Sequence, residues 1–541
     1  IIVNNESPAS EMRWRSPNPT TFGRLSSEVI DDIIKKLRDD SFQFTPGPRV
    51  MIPKPNGGQR PLTVAPPRDK IVQEVMRMIL EAIFEPTFLD TSHGFRSGRS
   101  CHTALKFIKG KFGVAQWYIE GDISKCFDSI DHEKLMEIIE ERIADSRFTR
   151  LIRKSLKAGY FEFKRFQHSI VGTPQGSIIS PILCNIFMNK LDQFVSELKF
   201  KFDTGAKARS NPLWTIIQVR KTKTVDPSEK RRLQKLMMNL PSKDLFDPNF
   251  KRLVYTRYAD DWIIGVRGSR EDCVCILNQV GAFLKEELGL TLSPNKTLIT
   301  NAREDRALFL GTEIFKARHQ TFSNKRFGFT QRKNRQCRLE APLPRVTKKL
   351  TEAGFLNGKS TTPKFLWLAN DKDTIITLYN AVYRGFINYY SFAMNLGKLS
   401  SWIHYILKYS CVKLLASKYK LGSQTAVFKK FGRNLKGTDK VGFVNAIYKI
   451  KQWDFKSKEV DTIASLYAET ISAASLSNLS CAKCGSTYRV EMHHIKKLRD
   501  LNPKARYLDL LPVGAVGPDR PSGNGQKTTK TNPGMFHEGS A

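Results

Sequence analysis

Apolar and polar residues alternate along this chain in two distinct rhythms. Leu253-Val254-Tyr255 and Trp262-Ile263-Ile264-Gly265-Val266 are short, strand-like runs, and they flank Tyr258-Ala259-Asp260-Asp261. The pattern predicts a hairpin whose tip carries two adjacent carboxylates. Neighbouring side chains on an extended strand point to opposite faces, so only a tight turn can aim both acids at one region. Gln116-Trp117-Tyr118-Ile119 is another strand-like run, leading into Glu120-Gly121-Asp122. Helical spacing predicts helices over Ser27 to Asp39 (capped by Ser26 or Ser27), Lys70 to Ile83, Ile182 to Leu191, Glu271 to Leu288 and Thr374 to Asn395. The last is rich in aromatics, among them Tyr379, Tyr383, Phe386, Tyr389, Tyr390 and Phe392, which at helical spacing read as core. Residues 203–250 are polar and charged and read as an insertion, in part a solvated helix. Trp402 to Trp453 continues basic and helical, whereas Gly514 to Ala541 has no apolar periodicity and predicts a disordered tail.

The candidate chemistry sits at the predicted strand ends. Asp122 could complete a carboxylate cage with Asp260 and Asp261, of the kind that holds two divalent cations against a triphosphate. Phe127 follows shortly after, where an aromatic ring under an incoming sugar would clash with a 2′-hydroxyl and select deoxynucleotides; taken alone it reads as a core residue. Gly172-Thr173-Pro174-Gln175-Gly176 opens an apolar helix, and backbone N–H groups at such a start favour phosphate.

Charge narrows the partners. The 541 residues include 88 Lys plus Arg against 52 Asp plus Glu, a formal net charge of +36. Such a surplus suits a polyanion whose phosphates it can neutralise. The basic residues are scattered instead of gathered on one amphipathic segment, and no run of apolar residues is long enough to span a bilayer, so the polyanion expected is nucleic acid and not a membrane. The nine cysteines have no spacing of a disulfide framework.

Taken in order, these blocks resemble the reverse transcriptases encoded within group II introns, over roughly Trp14 to Arg499. Further blocks carry the resemblance: Pro53-Lys54-Pro55-Asn56-Gly57-Gly58-Gln59-Arg60-Pro61-Leu62, Arg68-Asp69-Lys70-Ile71-Val72-Gln73, His93-Gly94-Phe95-Arg96-Ser97-Gly98-Arg99-Ser100, Gly289-Leu290-Thr291-Leu292-Ser293-Pro294-Asn295-Lys296-Thr297 and Phe309-Leu310-Gly311. Tyr379 to Tyr390 resembles the family's thumb, also called the maturase or X region.

The resemblance implies an α+β right-hand polymerase, with an antiparallel palm sheet, an α-helical thumb and a disordered C-terminal tail. It implies an N-terminal extension over 1–50, fingers and palm over 51–330 with the 203–250 insertion, a thumb over 331–400, a basic DNA-binding-like region over 401–475, a partial zinc region over 476–511 and a tail over 512–541. The implied catalytic and Mg²⁺-holding residues are Asp122, Asp260 and Asp261. Lys54, Arg60, Phe127 and Gln175 would bind the nucleotide, and Arg384, Asn388 and Lys296 would contact RNA or DNA. The implied activity is RNA-directed DNA synthesis together with binding of the host intron RNA to assist splicing. A splicing-only maturase is the alternative. Implied partners are the host intron RNA, an RNA template with a DNA primer, deoxynucleoside triphosphates and a DNA target.

Cys481-Ala482-Lys483-Cys484 with His493-His494 resembles the start of an HNH nuclease. In the family a second Cys pair and a further His follow, and in this sequence they do not. Two sulfur ligands are too few for a closed Zn²⁺ site unless a dimer or His493 completes it, so a degenerate, inactive nuclease region is expected. The sequence shows no secretory signal and does not begin with Met. The expectation is a fragment, or a reading frame continuing from an upstream exon, translated in a mitochondrion, with a chloroplast or a bacterial cytoplasm as alternatives.

Overall fold

The computed structural model describes residues 27–450 except 54–57, 159, 163–164, 168–176, 245–246, 295, 317–320, 325–328, 333–336 and 438–440. In a separate unit, Glu459–Ala541, the described residues are one short antiparallel pairing of Val490–Glu491 with His537–Glu538. Lys54, Gln175, Cys481, Cys484, His493 and His494 therefore lie outside the described residues, as does most of the 476–541 stretch.

The first element is the amphipathic helix α1 (Ser27–Arg38), with Glu28 in its first turn and Lys35, Lys36 and Arg38 in its last, the charge order that the helix dipole favours. Strands β1 (Gly47–Pro53) and β2 (Gln59–Thr63) pair antiparallel. Helix α2 (Pro67–Phe84) starts on a proline and buries Val72, Met76, Leu80 and Phe84, a four-residue repeat that lines one helix face. Helix α3 (Cys101–Lys111) leads to β3 (Trp117–Asp122), which is followed by α4 (Cys126–Ser129). Helices α5 (His132–Glu140) and α6 (Ser146–Lys157) each begin on an aspartate, Asp131 and Asp145, whose carboxylate accepts backbone N–H bonds. Strands β4 (Tyr160–Glu162) and β5 (Arg165–Gln167) complete a first sheet in the order β2-β1-β4-β5, in which β1 and β4 run parallel.

Helix α7 (Ser180–Phe202) is longer than its apolar run suggests and is buried on most sides. Residues 203–250 form a pair of helices, α8 (Pro212–Lys223) and α9 (Pro227–Asn239), whose surface is mostly exposed, in keeping with the solvated reading. Strands β6 (Arg252–Tyr258) and β7 (Asp261–Arg267) are the predicted hairpin. Helix α10 (Arg270–Glu286) is fixed at its start by a reciprocal capping box between Ser269 and Asp272. Strand β8 (Leu298–Asn301) then completes an antiparallel sheet in the order β6-β7-β3-β8.

Both faces of that sheet are covered. Alternation sends Ile119, Ile123, Trp262, Ile264 and Val266 into a core shared with α2, α5, α7 and α10. Tyr118 and Ile263 face the opposite way, into a second core. That core includes β9 (Ala307–Phe309), β10 (Thr312–Phe315), β13 (Arg338–Glu340), α11 (Leu343–Glu352), α12 (Lys372–Tyr389), α13 (Leu396–Lys418) and α14 (Gln424–Phe431). Between β10 and β13, strands β11 (Thr321–Asn324) and β12 (Phe329–Arg332) pair with each other. Gly121 opposes Trp262 across β3 and β7, and a Cβ there would lie 2.1 Å from the indole ring, so only glycine fits.

The expected aromatic helix, Thr374 to Asn395, stops short of its expected end. α12 ends at Tyr389, and Asn395 turns its amide onto both backbone groups of Ala341 just before α13 starts. Tyr379, Tyr383, Tyr390 and Phe392 are core, as their spacing predicted. The hydroxyls of Tyr379 and Tyr383 meet Ser410 and Ser400, each at 2.8 Å, tying α12 to α13. Trp402 to Trp453 is helical only in part, since 441–450 has no regular structure. No described helix is long and apolar enough to cross a membrane, and the seven described cysteines are free thiols.

Candidate functional site

The three acids converge. In the β3–β7 ladder Asp122 stands directly opposite Asp261, and cross-strand partners project from the same face of a sheet. That face is the one carrying Tyr118 and Ile263. Tyr258 also pairs with Asp261, so Ala259 and Asp260 are the two residues of the hairpin tip. Ala259 adopts φ +58°, the left-handed backbone that a two-residue hairpin demands of its first tip residue. The tight turn brings Asp260 beside Asp261, as the strand argument required.

Electrostatics mark the cluster as a concentration of like charge. The carboxyl of Asp261 is pushed up to about 7, first by burial and then by the negative charges of Asp260 and Asp122. Lys296 opposes this effect. Its ammonium donates to Oδ2 of Asp122 at 2.7 Å, and the amide of Ser293 donates to the Asp122 carbonyl at 2.8 Å, holding the 293–296 turn against the end of β3. Lys296, which the resemblance implies contacts RNA or DNA, thus sits on the carboxylate cluster. Among the described residues no set of three His, Cys, Asp or Glu side chains is closed up as a finished metal cage. With Lys296 on Asp122, the acids stand in an arrangement in which a side-chain ammonium supplies the positive charge. The donor set nevertheless fits Mg²⁺, a hard cation that takes carboxylate oxygens and is commonly held by only one or two of them, with water and substrate phosphates filling the rest.

Phe127 lies in the first turn of α4, after Lys125, which takes φ +48°. It is half-buried against the α2/α7 core, and its ring meets Phe95 edge-on at 6.2 Å. Phe95 is exposed and itself left-handed at φ +57°, an uncommon conformation for a bulky residue. Arg60 lies on β2 opposite Ile52, in the β1–β2 hairpin. Arg384 and Asn388 are both on the exposed side of α12.

Other residues at the site were not singled out from the sequence. Glu120 accepts from Thr300 Oγ1 and from the Leu308 amide, both at 2.7 Å, linking β3 to β8 and β9, and burial raises its carboxyl. Arg257, Asp192 and Asn185 form a buried polar cluster under the hairpin tip. A signal existed for two of them. Arg257 falls in phase with Tyr255, on the inward face of an apolar strand, and Asp192 interrupts the apolar run of α7.

Residues 52–314 match the family model for reverse transcriptase (RNA-dependent DNA polymerase), and residues 334–473 match that for type II intron maturase. The group II intron-encoded protein LtrA of Lactococcus lactis subsp. cremoris is 36% identical over 522 residues, covering 90% of this chain and 86% of LtrA. The chain belongs to the group II intron-encoded protein family. This family member carries a reverse transcriptase domain followed by a maturase domain on a mixed α+β fold with antiparallel sheets. An uncharacterized 91 kDa protein in a cob intron of Schizosaccharomyces pombe is 44% identical over 534 residues, covering 95% of this chain and 66% of that protein. A COX1/OXI3 intron 1 protein of Saccharomyces cerevisiae is 38% identical over 506 residues, covering 88% and 61%. The chain thus spans just under two thirds of the length of these two intron relatives.

Proposed function

We propose that this group II intron-encoded protein is an RNA-directed DNA polymerase that also binds its host intron RNA and assists splicing. The observation that carries the reading is the register of Asp122 against Asp261 with Asp260 in the intervening hairpin tip. A protein that only bound RNA would gain nothing from packing three like charges together at the cost seen in Asp261.

In this reading the chain is a right hand. The β2-β1-β4-β5 sheet and α2 act as fingers, the β6-β7-β3-β8 sheet as palm, and α11 and α12 as thumb, with α13 leading into the basic DNA-binding-like region. The reaction is attack of a primer 3′-hydroxyl on the α-phosphorus of a deoxynucleoside triphosphate, forming a phosphodiester and releasing pyrophosphate. Asp122, Asp260 and Asp261 would hold Mg²⁺, which when bound activates the hydroxyl and neutralises the leaving group. Lys54 and Arg60 bind triphosphate oxygens, Arg60 as a two-pronged fork. Gln175 lines the nucleotide site, and Phe127, buttressed by Phe95, excludes a 2′-hydroxyl. Arg384 and Asn388 face a template–primer duplex, which is read by its backbone and 2′-hydroxyls and not by its base sequence. The cob and COX1/OXI3 intron relatives support synthesis in a mitochondrion.

The test is primer extension on an RNA template with Mg²⁺, run beside a splicing assay on the surrounding intron. Extension by the parent, its loss in Asp260→Asn, and unchanged RNA binding by that variant are the expected results. Splicing assistance without extension would leave the maturase alone.

A further inference from the structure

We infer that the buried pair Arg257–Asp192 is the positioning strut of the carboxylate turn: it fixes the Ala259–Asp260 peptide and so determines where Asp260 and Asp261 meet a divalent cation. The inference rests on the polymerase reading above and names residues that act on that site without touching substrate.

Both members of the pair are fully buried, at 0% exposure. A buried ion pair is a poor device for stability, because desolvation consumes most of its attraction and apolar residues of similar volume serve as well or better. What this pair does with its bonds is more telling. The guanidinium has five N–H groups, and all five are used. Nε and Nη2 donate to the two oxygens of Asp192 at 2.8 and 2.6 Å, and Nη2 also donates to Ser92 Oγ at 2.8 Å. Nη1 donates to Asn185 Oδ1 at 3.3 Å and to the carbonyl of Ala259 at 2.8 Å.

That last bond matters for the site. The Ala259 carbonyl belongs to the peptide plane whose nitrogen is that of Asp260, and in a two-residue tip it lies outside the strand ladder. Orienting this carbonyl orients the peptide that carries Asp260. Ala259 holds a left-handed conformation, which a non-glycine residue keeps only where its surroundings over-determine it.

The surroundings do so from a second side. The amide of His93 donates to the Arg257 carbonyl at 2.9 Å, and the Arg257 amide donates to the Thr91 carbonyl at 2.8 Å. Gly94 then passes so close to the tip that a Cβ on it would lie 2.3 Å from the Ala259 nitrogen. Asn185 closes the ring, since its Nδ2 donates to the Gly94 carbonyl at 2.8 Å while its Oδ1 receives Arg257. Asp192 is itself aimed by Tyr255, whose hydroxyl donates to Oδ1 at 2.7 Å. The tip is thus clamped between the 91–94 segment and α7, with one guanidinium at the centre. Lysine could not replace it, because a single ammonium cannot span these directions.

The test uses the full chain and Mn²⁺ as the probe, read by electron paramagnetic resonance, with Asp260→Asn identifying the carboxylate site. The double variant Arg257→Met/Asp192→Leu removes both charges together and should fold, melting below the parent because the Tyr255 hydroxyl, Ser92 Oγ and the Ala259 carbonyl lose these partners. It should weaken Mn²⁺ binding and lower kcat by about 10- to 100-fold, the usual cost of losing an outer partner of a metal site, while KM for deoxynucleotide and affinity for RNA hold. Parent-like Mn²⁺ binding in a folded double variant would overturn the inference. If that variant does not fold, Asn185→Leu decides, because it cuts the bonds to Arg257 and Gly94 without stranding a buried carboxylate. The same Mn²⁺ defect there supports the strut, and collapse of both variants shows a purely structural role and overturns it. A parent that binds Mn²⁺ yet extends no primer fails the polymerase reading alone, and the Mn²⁺ titrations still judge the strut.

Discussion

Lys296 donates to Asp122 at 2.7 Å, so the first acid of the cluster carries a side-chain cation at the position proposed for Mg²⁺. The ammonium and a metal ion therefore compete for the same negative charge. Lys296→Ala is expected to tighten cation binding. Lys296 is about two-thirds exposed, so solvent screening limits the gain to roughly a few-fold, in line with about 1 kcal/mol or less for an exposed pair. A Mn²⁺ titration giving unchanged or weaker affinity would contradict the competition.

The protonation of Asp261 sets a second expectation. Its carboxyl is raised to about 7 in the folded chain, against an ordinary value of 3.8. Between these values the folded chain holds a proton that the unfolded chain has released, so metal-free stability falls as pH rises through that window and the penalty is complete above 7. Asp261→Asn removes the charge. In EDTA at pH 8 the variant should melt higher than the parent, and at pH 4 the difference should vanish. Adding Mg²⁺ should raise the parent's melting temperature and leave the variant's where it was. A variant that melts lower at pH 8 would refute this account.

Phe127 packs edge-on against Phe95 at 6.2 Å, which leaves its ring braced on one side. Phe127→Val should admit ribonucleotides. One lost van der Waals wall is worth about 1–3 kcal/mol, or roughly 10- to 200-fold in the ratio of kcat/KM for deoxy- over ribonucleotide. Phe95→Ala should produce a smaller shift in the same direction by releasing the brace. An unchanged ratio in Phe127→Val would leave it a core residue only.

Binding to intron RNA should be steeply salt-dependent, with a slope of about −0.7 to −0.9 per phosphate neutralised. Arg384→Ala should weaken binding of an RNA–DNA duplex and reduce the magnitude of that slope by about 1, because one exposed cation leaves the interface. Asn388→Ala should weaken binding without changing the slope, since it carries no charge. Filter binding across a salt series separates the two, and a flat response in the parent would remove the argument made from the +36 charge.

The sequence pattern conveyed the site better than it conveyed the scaffold. Alternating apolar runs located β6, β7 and β3, and the rule that only a turn can aim adjacent acids together anticipated the tip at Ala259 and Asp260. Helix limits were less legible. α7 runs on to Phe202 because tertiary burial, not its own apolar run, sustains it, and α12 stops at Tyr389 because Asn395 and Ala341 bond across the break. Lys296 was legible as a cation but not as a partner of Asp122, since 174 residues separate the two in sequence. Arg257 was legible as a charge on an inward strand face, but its partners were hidden for the same reason, since Ser92, Asn185 and Asp192 come from two other segments.

The pairing of Asp122 with Asp261 also has a meaning for synthesis on the ribosome. The two acids are separated along the chain by well over a hundred residues, and the segment that brings Lys296 follows later still. Contacts of such long range form last, after the intervening α5, α6 and α7 have condensed. A nascent chain that has emerged only as far as α7 has no carboxylate cluster and little of the charge surplus, because its 30 Lys plus Arg up to Phe202 stand against 24 Asp plus Glu. Such a chain is chemically silent and only weakly drawn to RNA, so the capacity to hold RNA and the capacity to copy it both arrive with the segments that follow α7.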